Sequence, residues 1–579
     1  MYEQIRYNLA KDELKRLNLN AQLIIKEELP SFEIEVKDQL FTIYAPNSLE
    51  LLYGVYTLAE KFGGWSFWNP GKETFNANKV FTPQDGIVVK ACQVLLENRG
   101  FIQEFPFNDQ TKDLFDWMVK NKLNYLLVWM KYYDDLSSEL KEYALVRGIA
   151  IESGHHNFNY WIPGRKYGKS NPEFFAEING MRIKSSDGKA ELLLSEQLCT
   201  TNKQLRQEIA KNMLEYCEKN PEVKTISLVP NDGFGWCECS ECSKFYDKSK
   251  KGDFYSLSTH VYVADKIYHN MVEEIAQIVG KVRPDIKITL CAYINYCRPS
   301  ENFKLTPNLG VHFAPYWRCI NHTIDDENCP VNSFYARDIK EWCSVKEGGK
   351  VNIYEYYMGV NFYLSLPMIH FEEMFHEIQW YNKNNVDGVL TQFHIPHWSV
   401  YGLNYCLMAK AARGEDAKVA IDSLFDEVFG DDAKLAKEFY HEVKLLQKKI
   451  GTCHIPYPRS ILRRTKLEDF AKLIPLAQEL AKKSPNDSFR QDLVTWTTYM
   501  LKFKELFDKY QDGQLTLDNL KEFLDFIHSY RESRVFVHDR FDMYFKALET
   551  ALTNNTKWIH FNLPWEDDYI LQQEEKFLN

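Results

Sequence analysis

Between Asn98 and Ala412 the sequence alternates short apolar runs with amphipathic stretches, and this alternation most constrains what the chain can fold into. Eight runs read as strands: Gly100–Glu104, Tyr125–Met130, Ile149–Ser153, Thr225–Val229, Ile286–Ile294, Gly310–Pro315, Val351–Tyr357 and Gly388–His394. Between them, stretches such as Asp113–Lys120 and Leu257–Val279 place apolar residues at helical spacing. Eight β–α units over about 310 residues fit a closed (β/α)8 barrel with insertions, a fold of roughly 200 to 400 residues. A doubly wound open sheet is the alternative, but no GxGxxG turn or phosphate loop follows the first run. The expected class is therefore α/β, with a TIM barrel over residues 93–412.

The flanks read differently. Residues 1–92 suggest a small α+β domain, with strands at Leu23–Ile25, Phe32–Val36 and Leu40–Tyr44. A turn and N-cap at Pro46-Asn47-Ser48 lead into a helix carrying Leu51, Leu52, Val55, Leu58 and Ala59. Gly63-Gly64 stops it, and Trp65–Trp68 with Asn69-Pro70-Gly71 forms an aromatic return. Residues 413–579 read as an all-helical domain, with periodicity through Ala417–Phe429, Ala433–Ile450, Leu467–Lys483, Asp492–Tyr510, Leu517–Tyr530 and Asp542–Leu552. Three domains suit 579 residues, because a single core stops growing near 250–300 residues.

Charge and cysteine usage narrow the setting. A net charge of −11 and the lack of any long basic block argue against nucleic acid. No apolar stretch approaches the length of a bilayer span, so no membrane partner is expected. The charged opening MYEQIRYNLAKDELKRLNLN lacks the apolar core of a secretory signal. Thirteen irregularly scattered cysteines fit reduced thiols. Together these predict a cytoplasmic protein, and the helical domain offers a surface for a homo-oligomer.

In barrels of this kind, working residues sit at the C-terminal strand ends and in the loops beyond. Glycosidic bond cleavage needs two carboxyl groups there, one to protonate the leaving oxygen and one to attack or activate water. Asp232, after strand four, and Glu355, on strand seven, come from opposite sides of the expected mouth. They are the predicted general acid and the predicted nucleophile or base, with Glu152 and Glu104 as reserves. A turn aspartate and a structural glutamate are the plainer readings. Asn231, His155, His156, Trp317, Arg318, Tyr356, His394 and Trp398 are the expected substrate-binding residues; Arg318 would suit a carboxylated sugar or an ion pair. Frequent aromatics, 13 Trp and 34 Tyr, supply flat apolar faces with polar tips that suit sugar rings. The pair stands only if both carboxyl groups face one cavity.

Cys237, Cys239 and Cys242 place three thiols within six residues, a ligand-like spacing, and Cys199 is the expected fourth donor. The reading is a structural zinc beside the loop carrying Asp232, with no cofactor for catalysis; three free thiols are the alternative. Tyr53–Glu60 followed by Gly64-Trp65 resembles the N-terminal domain that precedes the barrel in α-glucuronidases and β-N-acetylhexosaminidases. Val229–Asp232 with the cysteine motif, Leu198–Asn202 and Tyr354–Tyr357 resemble a bacterial glycosidase-like family whose domain has no assigned function. The resemblance covers about residues 20–410. It implies an exo-acting glycoside hydrolase with a carbohydrate substrate. Hexosaminidases carry an Asp-Glu pair on strand four, whereas Gly233 follows Asp232 here, which departs from an acetamido-assisted mechanism. A barrel that binds carbohydrate without cleaving it, and a zinc-dependent hydrolase, are the competing functions.

Overall fold

The computed structural model describes residues 2–182, 197–232, 235–246, 264–359, 363–449, 458–556, 558–560 and 563–564. Part of the expected helix Leu257–Val279, residues 257–263, and Gly233 lie outside the described residues.

Eight parallel strands close into a barrel: Asn98–Gln103, Tyr125–Trp129, Ala150–Gly154, Thr225–Ser227, Lys287–Ala292, Leu309–Phe313, Lys350–Glu355 and Gly388–Gln392. Strand eight pairs with strand one through Gly388↔Asn98 to Gln392↔Ile102, and strand four closes on strand three through Thr225↔Glu152. All eight expected runs form strands; six are shorter than expected, strand one begins two residues earlier at Asn98, and strand three is shifted by one residue to Ala150–Gly154. Helices such as Thr111–Lys120, Lys203–Lys219, Asp265–Val282 and Phe371–Lys383 lie outside the ring.

Strand alternation divides the side chains between the axis and the helices. On strand one Phe101 faces outward, stacked on Trp117 of helix Thr111–Lys120 at 5.7 Å. Gly100, Ile102 and Glu104 therefore share the axial side. Within the barrel, the buried Glu152 accepts hydrogen bonds from Tyr125 Oη (2.6 Å), His312 Nε2 (2.8 Å) and Thr289 Oγ1. Burial alone would raise this carboxyl; the imidazole and the two hydroxyls outweigh it and hold it below its ordinary value.

Before the barrel, strands Ala21–Ile25, Leu40–Ala45, Glu33–Lys37 and Val88–Lys90 form one sheet in that order, covered by helix Ser48–Phe62. Asn47 caps the helix by accepting from Glu50 N at 3.0 Å. Gly54 lets helix and sheet close up, since a Cβ there would meet Ile43 at 2.5 Å. The aromatic return is an antiparallel hairpin, Gly63–Asn69 with Lys72–Val80. Helix Glu3–Arg16 was not legible in the pattern.

After residue 412 the regular elements among the described residues are helices as expected, apart from the two-residue strands Ile559–His560 and Leu563–Pro564. The segment Leu467–Lys483 is two helices, Leu467–Ala471 and Leu473–Lys483. Pro475 has no N–H for the Ala471 carbonyl, so the ladder breaks there. One apolar core runs from Leu96 to Trp558 through barrel and helices alike, while the N-terminal sheet keeps a separate one. Among the described residues no helix is long and apolar enough to cross a membrane.

Candidate active site

The C-terminal ends of the strands bring seven rings into a closed belt around the barrel mouth. Trp129 lies 5.7 Å from His155, His155 stacks on Tyr354 at 5.1 Å, and Tyr354 lies 5.3 Å from Tyr356. The belt continues through Tyr316 (5.5 Å) and Tyr293 (5.5 Å) to His156 (6.0 Å), which returns to Trp129 at 5.7 Å. Five strands or their loops contribute, so the belt exists only because the barrel is closed.

Local backbone aims the two histidines inward. His155 and His156 have φ of +76° and +42°, a left-handed pair that non-glycine residues seldom adopt. His155 N donates to Ser227 Oγ, and Gly154 has no room for a Cβ beside Ser227. Burial, with help from His156 and His312, pushes His155 well below the usual imidazole range, so its ring is neutral. Burial likewise pushes Tyr293, Tyr354 and Tyr356 well above the usual phenol range, aided by Asp232 at Tyr293 and by Glu104 at Tyr354. All three hydroxyls remain donors at any ordinary pH.

Two carboxyl groups flank this belt on opposite sides. Asp232 lies 3.9 Å from His156 Nε2, with half of its side chain exposed. Glu104 accepts from Gln392 Nε2 at 2.6 Å and from Tyr354 Oη. Arg540 of the C-terminal helices lies 4.0 Å over the Phe105 ring, near enough for Glu104 to act on its charge. A cleft of about 670 Å³, lined by Trp129, His155, His156, Asn159, Tyr160 and Arg165, opens beside the two histidines.

Glu355 is not at the mouth, which corrects the expected catalytic pair. Tyr354 and Tyr356 face the axis, and the residue between them faces the helices. Its carboxylate is fully buried, accepting from Arg318 Nη1 at 2.7 Å and Tyr381 Oη at 2.6 Å. Arg318, also an expected sugar ligand, is consumed by the same layer, bonding Glu355 and Glu377. His370 Nε2 lies 2.9 Å from Glu377. Burial opposes both charges, yet Arg318 and His370 hold the Glu377 carboxyl well below its ordinary range, and the carboxylates hold Arg318 charged.

The remaining expectations divide. Tyr356 and both histidines are in the belt, and Trp317 adjoins it at 5.7 Å from Tyr316. Asn231 lies in the loop bearing Asp232, where its Oδ1 accepts from Asn159 N at 3.0 Å. His394 packs 4.1 Å from Phe105, behind Glu104. Trp398 is not a pocket wall: it is buried between Trp117 (4.8 Å) and Tyr405 (5.3 Å), because it opens a helix that packs on the barrel's flank. Glu152 is a core acid. Trp129, Tyr293, Tyr316, Tyr354, Gln392 and Arg540 were not singled out as site residues; alternation counted back from the strand ends finds all but Arg540.

The four expected thiols do converge. Cys199, Cys237, Cys239 and Cys242 are all buried, with sulfurs within 4.8 Å of one another. Tetrahedral zinc with bonds of about 2.3 Å sets sulfurs roughly 3.8 Å apart. Cys199 lies 3.7 Å from Cys239 and 3.9 Å from Cys242. Glu177 N donates to Cys237 Sγ at 3.3 Å, the type of outer contact that orients a thiolate ligand. The residues fit a structural zinc.

A protein family described as "Domain of unknown function (DUF4838)" matches residues 76–441. No curated protein matches the chain. Among solved structures, the family 89 glycoside hydrolase from Clostridium perfringens, in complex with its substrate GlcNAc-alpha-1,4-galactose, is similar at a TM-score of 0.56 and 12% identity. The match covers 91% of this chain and 65% of that one, so this chain spans about two thirds of the relative's length. The same enzyme with PUGNAc gives 0.55 and 11%, over the same shares. A chitobiase from Flavobacterium johnsoniae matches at 0.43 and 13%, over 90% of both chains. At these identities the likeness is one of fold.

Proposed function

The chain belongs to the DUF4838 family, and we propose that it is a glycoside hydrolase whose two working carboxyl groups are Asp232 and Glu104. The observation that carries this reading is the closed ring belt with those two acids on opposite sides. A sugar ring seated against it would meet apolar faces, neutral phenol donors and two carboxyl groups that approach from different directions. Asp232, partly open to solvent beside His156, serves as general acid to the leaving oxygen. Glu104, oriented by Tyr354 and Gln392, serves as nucleophile or base. The cleft beside His155 and His156, at the C-terminal end of a closed barrel, suits exo action. The Clostridium perfringens relative, solved with a disaccharide in a form with two Glu→Gln replacements, supports the reaction class.

The four-thiolate cluster fits a zinc that pins the loop bearing Asp232. When bound, that metal would contribute stability and not hydrolysis, because four thiolates fill a tetrahedral shell. This favours carboxylate chemistry over a hydrolase that works through the four-cysteine cluster.

A panel of aryl glycosides tests the proposal. Turnover of at least one, abolished in both Asp232→Asn and Glu104→Gln with folding retained, is the expected result. Thermal stabilisation by sugars without turnover anywhere would favour a carbohydrate-binding barrel instead.

A further inference from the structure

A second group of soft donors sits on the loop that follows strand six. Cys319, His322 and Cys329 bring two sulfurs and an imidazole nitrogen within 4.8 Å of one another. Cys319 Sγ lies 3.2 Å from His322 Nδ1. Both cysteines are buried, at 0% and 1% exposure, while His322 is partly exposed and offers an entry path. The sequence places Cys319 and His322 on one tight turn; Cys329 then caps helix Pro330–Ser344.

Backbone amides already point at both sulfurs. Asn321 N donates to Cys319 Sγ at 3.4 Å and Asn332 N to Cys329 Sγ at 3.4 Å. Such contacts stabilise sulfur that carries negative charge, as a metal thiolate does. The turn itself is braced. Asn332 accepts from Cys319 N at 2.7 Å and donates to the carbonyls of Cys319, His322 and Thr323 at 3.0–3.1 Å. Glu377 accepts from Ile324 N at 2.8 Å. A preformed loop lowers the ordering cost of binding. Between the ligands, Asn321 has a buried side-chain oxygen with no hydrogen-bond partner among the described residues.

We propose that Cys319, His322 and Cys329 bind a second zinc ion, with water or Asn321 Oδ1 completing a tetrahedron. Two thiolates and one imidazole select zinc over magnesium or calcium, which prefer oxygen. The ion ties the loop that delivers Tyr316 and Trp317 to the first turn of helix Pro330–Ser344, two strands round the barrel from the loop that carries Cys237, Cys239 and Cys242. The assignment does not depend on the glycosidase reading.

Metal content of the purified full chain tests it. Wild type is expected to hold two zinc ions per chain, Cys319→Ser/Cys329→Ser one, and Cys237→Ser/Cys239→Ser one. A wild-type value of one that drops to zero only in the second double variant would overturn the proposal. So would a Cys319–Cys329 disulfide in freshly isolated protein. A value of one lost only with Cys319 and Cys329 would remove the four-cysteine zinc and leave this one standing. His322→Ala, which keeps every thiol, covers the case in which a double variant fails to fold. It should weaken zinc retention against a chromophoric chelator by at least about tenfold, and unchanged retention would overturn the assignment.

Discussion

Residues 354, 355 and 356 follow one another on a single extended strand, yet they belong to two regions with different chemistry. On the axial side, Tyr354 and Tyr356 join a belt of rings and hydroxyl donors, and the acids nearby are only partly withdrawn from water. On the helix side, Glu355 is sealed with Arg318, Glu377 and Tyr381 in a layer of paired charge. Burial by itself therefore does not mark a working carboxylate. A fully buried acid whose oxygens are claimed by a guanidinium is spent on structure, whereas Asp232 and Glu104 keep an aspect toward open space.

The largest expected contrast is in turnover. Asp232→Asn and Glu104→Gln should each lower kcat/KM for a responsive glycoside by about 10²–10⁴-fold, with unchanged circular dichroism. Full activity in either variant would remove that residue from the mechanism. Glu355→Ala should behave in the opposite manner, destabilising the fold by about 3–5 kcal/mol because Arg318 loses a partner inside the wall. Denaturant unfolding measures this; a near-neutral result would mean that the layer repacks and the contrast between the two sides is weak.

A smaller effect separates orientation from chemistry. Tyr354→Phe removes one donor from Glu104, and loss of a hydrogen bond to a charged group costs roughly 1.5–3 kcal/mol. About a ten- to hundredfold drop in kcat with little change in KM is expected, whereas Trp398→Phe, buried behind the wall, should leave kcat alone.

The smallest effect is a difference in acid sensitivity. His397, behind the mouth, is buried with neither ring nitrogen partnered among the described residues, and burial holds it down at about 3. Its unfolded value is near 6.5, so the unfolded chain takes up the proton first. Stability from neutral burial is complete above pH 6.5 and is lost as pH falls toward 3. His155 and His394 shift in the same direction. Glu377 is also depressed, from an ordinary value of 4.5, so the charged layer keeps its contribution until pH falls below about 4.5. Melting temperature should therefore decline in two stages. His397→Phe should flatten the first stage and Glu377→Gln the second; a single stage in wild type would show that the two regions do not titrate separately.

Much of this architecture could be read before any coordinates. Period-two and 3.6-residue patterning located all eight barrel strands and most of the C-terminal helices, and the spacing of Cys237, Cys239 and Cys242 anticipated a cluster that Cys199 completes. Helix Glu3–Arg16 escaped because its exposed polar residues blur the periodicity. Of the predicted acid pair, the structure leaves Asp232 beside the belt and buries Glu355 away from it. Position at a strand end drew attention to Glu355, but Val351, Ile353 and Glu355 share one side while Asn352, Tyr354 and Tyr356 share the other. That alternation pointed Glu355 toward the helices.

The sequence by itself determined the barrel, most of its flanking elements and the three closely spaced thiols of the cluster, since each follows from local periodicity or close spacing. Only the tertiary structure decided which carboxyl groups reach the belt. The belt draws on residues from 129 to 356, and Glu104 is oriented by Tyr354 and Gln392, some 250 to 290 residues away along the chain. Closure of the barrel sets those distances, and no local pattern encodes them. Arg318 shows the same limit: its charge was visible in the sequence, but whether it faced a sugar or two buried glutamates depended on the helix packed against strand seven.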